Sequence, residues 1–145
     1  MRDPPYPPKD TKRLDAISDT QMTRHHRRPR RHKGPTKPHN LIALTMRSHY
    51  AWHYIVHHLY ATNIARQINK WHPQYKIRVE CRRVDDPHYP DLSGQVHDEK
   101  IQAIPTALQE EAWKYLFGEL TPQQVVHKIN TQYLDPDYYF VLTTS

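Results

Sequence analysis

Between Asn40 and Trp71 apolar side chains recur at helical spacing. At about 100° per residue, Leu41, Thr45, Ser48, Trp52, Ile55, Val56 and Leu59 fall on one face, and Tyr60, Ile64, Ile68 and Trp71 on a second. The stretch contains no proline or glycine, Asn40 is a good N-cap, and Pro73 stops a helix just beyond it. One long helix over Asn40–Trp71 is therefore expected. It should bend near Thr62-Asn63, close to where the apolar stripe changes face at Leu59–Tyr60.

From Tyr75 to Val84 the period changes to two. Ile77, Val79 and Cys81 alternate with Arg78, Glu80 and Arg82, which predicts a strand with Cys81 as a small core residue. Asp85 to Gly94 reads as a loop. Its Asp85, Asp86, His88 and Asp91 are ordinary turn chemistry rather than metal ligands. A short strand is expected around Gln95–Ala103. Pro105 and Gly118 bracket a helix with Leu108, Ala112, Tyr115 and Leu116 on its apolar face. Thr121 and Gln124 form a capping box for a further helix to Tyr133, with Val125, Val126 and Ile129 inward. These two helices are expected as a hairpin on a sheet. The alternative is a helix-turn-helix that offers Gln123, Gln124, His127, Lys128 and Asn130 to a groove. A last strand starts at Tyr138. The expected class is α/β or α+β, a small two- to three-stranded sheet covered by helices.

Charge divides the chain. Residues 1–39 carry a net +7 and residues 40–145 a net −1, which make up the +6 of the 145-residue chain. Seven of the thirteen prolines precede Asn40 as well. An extended basic arm over 1–39 and a single folded domain over 40–145 follow, with Leu14, Ile17 and Met22 as a weak anchor for the arm. Mean hydropathy of −0.95 leaves no apolar run able to cross a bilayer, and the first ten residues lack the apolar core of a secretory signal. A single cysteine excludes an internal disulfide framework and fits an intracellular, reducing compartment.

Two groups carry candidate chemistry. Arg24, Arg27, Arg28, Arg30, Arg31, Lys33 and Lys37 form an acid-free run whose guanidinium pairs match phosphate oxygens. The expected partner is nucleic acid, RNA in preference to DNA, alongside other protein subunits of a large assembly. Ribosomal and virion proteins carry arms of this type, so a non-catalytic ribonucleoprotein subunit without a cofactor is the leading expectation. An acidic protein is the other receiver of such an arm. The second group is His49, His53 and His57, spaced four apart on the long helix. They are expected at the border of the core, holding no metal, with pKa values below the usual 6.5. The alternative is a histidine-metal enzyme, since an i, i+4 pair grips zinc.

Overall fold

In the computed structural model, which describes residues 11–90 and 103–143, strand β1 (Met22–His26) pairs antiparallel with β2 (Leu41–Thr45). Met22 lies opposite Thr45 and His26 opposite Leu41. Helix α1 (Met46–Val56) follows β2 directly, then α2 (Ala61–Asn69) and a single turn, α3 (His72–Tyr75). A second sheet has β3 (Val79–Arg83) between β4 (Asp86–Pro90) and β5 (Tyr138–Leu142), all antiparallel, with Cys81 opposite Phe140. Between β4 and β5 come α4 (Thr106–Phe117) and α5 (Pro122–Lys128), the latter continuing as a π turn, Ile129–Tyr133. The class is α+β. No helix among the described residues is long and apolar enough to cross a membrane.

The single helix expected over Asn40–Trp71 is instead a strand and two helices. LIALT pairs with β1, whose residues lie fifteen or more positions upstream and are invisible to a local period. The helix start is therefore Thr45, whose hydroxyl accepts from Ser48 N at 3.2 Å, and not Asn40. The break comes at His57, with φ 56° and ψ −142°. The apolar stripe shifts within this same stretch, a few residues ahead of the expected bend at Thr62-Asn63.

The extended arm expected over 1–39 is not what residues 11–39 form. Leu14 and Ile17 join the core, Thr23, His25 and His26 are buried in β1, and Lys12 N donates to Tyr54 Oη at 3.0 Å. Buried apolar area and the β1–β2 ladder offset the ordering entropy that the composition alone does not. The loop expected from Asp85 to Gly94 shortens to a turn, because Asp86–Pro90 forms β4. The strand expected around Gln95–Ala103 lies outside the described residues except for Ala103, which is not in a strand.

Three asparagines grip a neighbouring stretch of backbone in the same way, two of them on strands β3 and β5 and one just beyond β1. Asn40 Oδ1 accepts from Arg28 N at 2.7 Å while its Nδ2 donates to Arg28 O at 3.1 Å. Asn69 does this to Val79 at 2.8 and 3.0 Å, and Asn130 to Phe140 at 2.8 and 3.0 Å. Each amide reproduces the donor–acceptor pair of a neighbouring strand. Asn40 also donates to Pro35 O at 2.9 Å, which closes the β1–β2 loop over Gly34. A Cβ at Gly34 would overlap the Arg28 carbonyl oxygen. The core beneath is aromatic, with Trp52 of α1 stacked on Tyr133 at 4.7 Å and 18°.

Candidate metal centre

Thr23 and His25 share the face of β1 that packs on α1, where His49 and His53 stand one turn apart. His25, His49 and His53 are all buried, and each offers a ring nitrogen within 4.8 Å of the other two. Their outer nitrogens are committed. His25 Nε2 donates to Tyr133 O at 2.8 Å, and His53 Nδ1 donates to His57 O at 2.7 Å, since a carbonyl only accepts. The Thr23 hydroxyl lies 3.1 Å from Leu44 O and 2.8 Å from His49 Nδ1, and its one proton goes to one or the other.

Two of these bonds set a tautomer, so neutral His25 has its lone pair on Nδ1 and neutral His53 on Nε2. With the Thr23 proton on Leu44 O, His49 has its own lone pair on Nε2, and these three are the nitrogens a metal would use. His25 Nδ1 and His49 Nε2 lie 3.3 Å apart, a distance that would suit a hydrogen bond if a proton stood between them. With the Thr23 proton directed at His49 Nδ1, His49 Nε2 carries that hydrogen and donates it to His25 Nδ1; with the Thr23 proton on Leu44 O, both facing nitrogens hold lone pairs. Two nitrogens on one tetrahedral zinc, each at about 2.0–2.1 Å, sit about 3.3–3.4 Å apart, so the spacing fits a shared cation.

Burial opposes the alternative, a charged ring. It pushes His25 down to about 3, with the His53 ring adding to the effect, and His53 down to about 4. Burial also pushes His49 far below its usual value, helped by His53 and His25, and does the same to His58 beside them. At neutral pH the cluster is thus three uncharged imidazoles, the form that binds metal.

The alternative ligand set read from the sequence was His49, His53 and His57. The structure brings the first two together and supplies His25 in place of His57, which contributes only its backbone carbonyl. His25 was missed because β1 was read as arm. The period-two burial of Thr23 and His25 within TRHH is the signal that could have found it.

The basic run divides. Arg27 is half-buried, with Nε donating to Leu134 O and Nη2 to Asn130 O, both at 2.7 Å. Arg28 bonds Asp135 at 2.6 Å and Asp137 at 2.7 Å. Arg24 is half-buried on β1, while Arg30, Arg31, Lys33 and Lys37 are exposed on the β1–β2 loop. That loop is fastened next to the histidines. His32 Nε2 donates to His58 O at 3.0 Å, and its ring lies 3.9 Å from that of Tyr60. His58 in turn is 4.1 Å from the His53 ring. Comparison with protein-family models, curated proteins and solved structures gives no match.

Proposed function

We propose that this chain is a metal-dependent phosphodiesterase acting on nucleic acid, with His25, His49 and His53 as the ligands. The observation that carries the reading is the convergence of three buried imidazoles, each with a ring nitrogen within 4.8 Å of the other two. Three imidazoles leave a coordination position open, as in catalytic rather than structural zinc sites. A metal there would polarise a phosphate oxygen and lower the pKa of a bound water.

The basic turn Arg30–His32 supports phosphate as substrate. It is fastened beside the cluster, and Arg31 is close enough to bear on His58. In the step, the water oxygen bonds to phosphorus and the bond from phosphorus to the leaving sugar oxygen breaks. The water gives up its proton and the leaving oxygen gains one. One further ring adjoins the cluster, His58, and burial holds it too far down to accept a proton readily. A water nucleophile suits DNA, which lacks the 2′-hydroxyl that RNA can use against its own phosphate.

The test is metal analysis and cleavage with chain purified without a tag. Loaded in turn with zinc, manganese and magnesium, it is mixed with supercoiled plasmid, linear duplex and single-stranded RNA. One metal per chain and nicked or cut DNA are expected, with both lost in His49→Ala and His53→Ala. No bound metal, or cleavage indifferent to those substitutions, would overturn the reading.

A second reading keeps the basic loop and drops the chemistry: a structural subunit of a ribonucleoprotein. Exposed Arg30, Arg31, Lys33 and Lys37 favour it. RNA binding without turnover under every metal would support it.

A further inference from the structure

We infer that Thr23 is a positioning residue of the metal centre, its hydroxyl switching His49 between a closed, hydrogen-bonded form without metal and an open form that binds it. This rests on the metal-centre part of the reading above and adds how that centre is loaded.

A row of polar groups runs from β1 through α1 to the C-terminal half. Thr23 Oγ1 is 2.8 Å from His49 Nδ1, His49 Nε2 is 3.3 Å from His25 Nδ1, and His25 Nε2 is 2.8 Å from Tyr133 O. The far end fixes the direction, because a carbonyl only accepts. Neutral His25 therefore has a bare Nδ1. In the metal-free protein that nitrogen gains a donor from the row when His49 carries its hydrogen on Nε2. His49 Nδ1 is then bare in turn and takes the Thr23 proton. Every group in the row is used in this form. Thr23, His25 and His49 are all buried, where an unmet polar atom is most costly.

The rival acceptor for the Thr23 proton, Leu44 O, does not need it. Just beyond the two ends of the β1–β2 pair, Met46 N donates to Gln21 O and Arg27 N to Asn40 O, both at 2.8 Å. Bonded pairs alternate along an antiparallel ladder, so Thr23 and Leu44, which face each other in the same register, are a bonded pair. Leu44 O thus accepts from Thr23 N and keeps a second lone pair, 3.1 Å from Thr23 Oγ1.

That spare lone pair is what the metal-bound form uses. A cation on His25 Nδ1, His49 Nε2 and His53 Nε2 requires the His49 hydrogen to stand on Nδ1. Thr23 Oγ1 then accepts from Nδ1, and the hydroxyl turns its own proton to Leu44 O. Both bonds use separations already present. One proton leaves Nε2 and one arrives at Nδ1, so the rings and the hydroxyl release none on balance. Thr23 serves both forms because a hydroxyl donates and accepts. Serine keeps that property, and valine, of nearly the same shape, has neither half of it.

The experiment follows ring protons directly. Full-length chain labelled in nitrogen is prepared metal-free, then with one equivalent of zinc at neutral pH. Long-range proton–nitrogen NMR separates bare from protonated ring nitrogens. His49 should carry its hydrogen on Nε2 without metal and on Nδ1 with it, while His25 keeps Nε2–H and His53 keeps Nδ1–H throughout. Zinc affinity, measured by competition with a chelator, should fall about 10–100-fold in Thr23→Val and return towards the wild-type value in Thr23→Ser. A metal-free wild type with its His49 hydrogen already on Nδ1, and zinc still bound, would overturn the switch while the metal reading stood. Undiminished zinc affinity in Thr23→Val would overturn the part given to Thr23. The switch seen with zinc, but no DNA cut, would support the inference and end the nuclease reading. Failure of wild type to bind zinc would overturn both.

Discussion

His53 donates its Nδ1 proton to the carbonyl oxygen of His57 at 2.7 Å, and His57 holds φ 56° and ψ −142° to receive it. That backbone region belongs almost solely to glycine and costs a side-chain-bearing residue about 1–3 kcal/mol. The strain sits at the group that fixes a ligand tautomer.

His57 therefore acts through its backbone. His57→Gly should keep one metal per chain, because glycine adopts this conformation and retains the carbonyl. His25→Ala, His49→Ala and His53→Ala should each lose it. Elemental analysis after dialysis separates the two outcomes. Loss of metal in His57→Gly with the fold intact by circular dichroism would remove the carbonyl's role.

Metal binding to the folded chain alone should raise its melting temperature. At free zinc one hundred times the dissociation constant the gain is about 2.7 kcal/mol. For a chain of this size that is about 8 °C. Scanning calorimetry with and without zinc checks it, and His49→Ala should show no shift.

Acid should loosen the metal-free protein. His25 is pushed down to about 3, and His53 and His57 to about 4, by burial first in each case. Folded, these rings stay neutral, whereas unfolded they take protons near 6.5. The unfolded state thus binds more protons below that value, and stability falls with pH until the folded pKa values are passed. At pH 5 the loss is about 2 kcal/mol per ring. Urea midpoints at pH 7.5, 6 and 5 measure it. A flat profile would mean that the rings are solvated.

Asn40→Asp should be worse than its size suggests. The amide donates to Arg28 O and Pro35 O from a site 1 % exposed. An aspartate would set an acceptor against both carbonyls, at a cost of about 2–3 kcal/mol. Hydrogen exchange should then quicken at Arg28 and along β1, and zinc affinity should drop because His25 is carried on that strand.

Phosphate binding should involve fewer charges than the composition suggests. Arg27 and Arg28 are bonded to the body. The exposed Arg30, Arg31, Lys33 and Lys37 should give a slope of log K against log salt of about −3 to −4. Arg28→Ala should lower stability with little change in slope, and Arg31→Ala the reverse.

Local signals were legible. The capping box at Thr121 and the helix between Pro105 and Gly118 stand within a residue or two of expectation, and the alternation through Cys81 stands too, although its strand starts at Val79, four residues after Tyr75. What escaped was non-local. LIALT has an acceptable helical period, and only its pairing with MTRHH makes it a strand. Charge read alone made those residues an arm, although Thr23 and His25 alternate inward. The ladder of His49 and His53 was visible. Its third member was not, because His25 lies twenty-four residues before His49 and on a different element.

Almost all of the centre comes from one contiguous segment. Its three ring nitrogens, the Thr23 hydroxyl and the His57 carbonyl lie within residues 23–57, and only the Tyr133 carbonyl comes from far away, 108 positions from His25. Short loops close before long ones in folding. The strand pair and α1 can thus gather the ligands while the C-terminal half is still unformed. Docking of α5 then comes as a late step that locks one ring in its tautomer. A chain still being synthesised would hold its cation loosely, and tightening of that hold would report that the last helix had arrived.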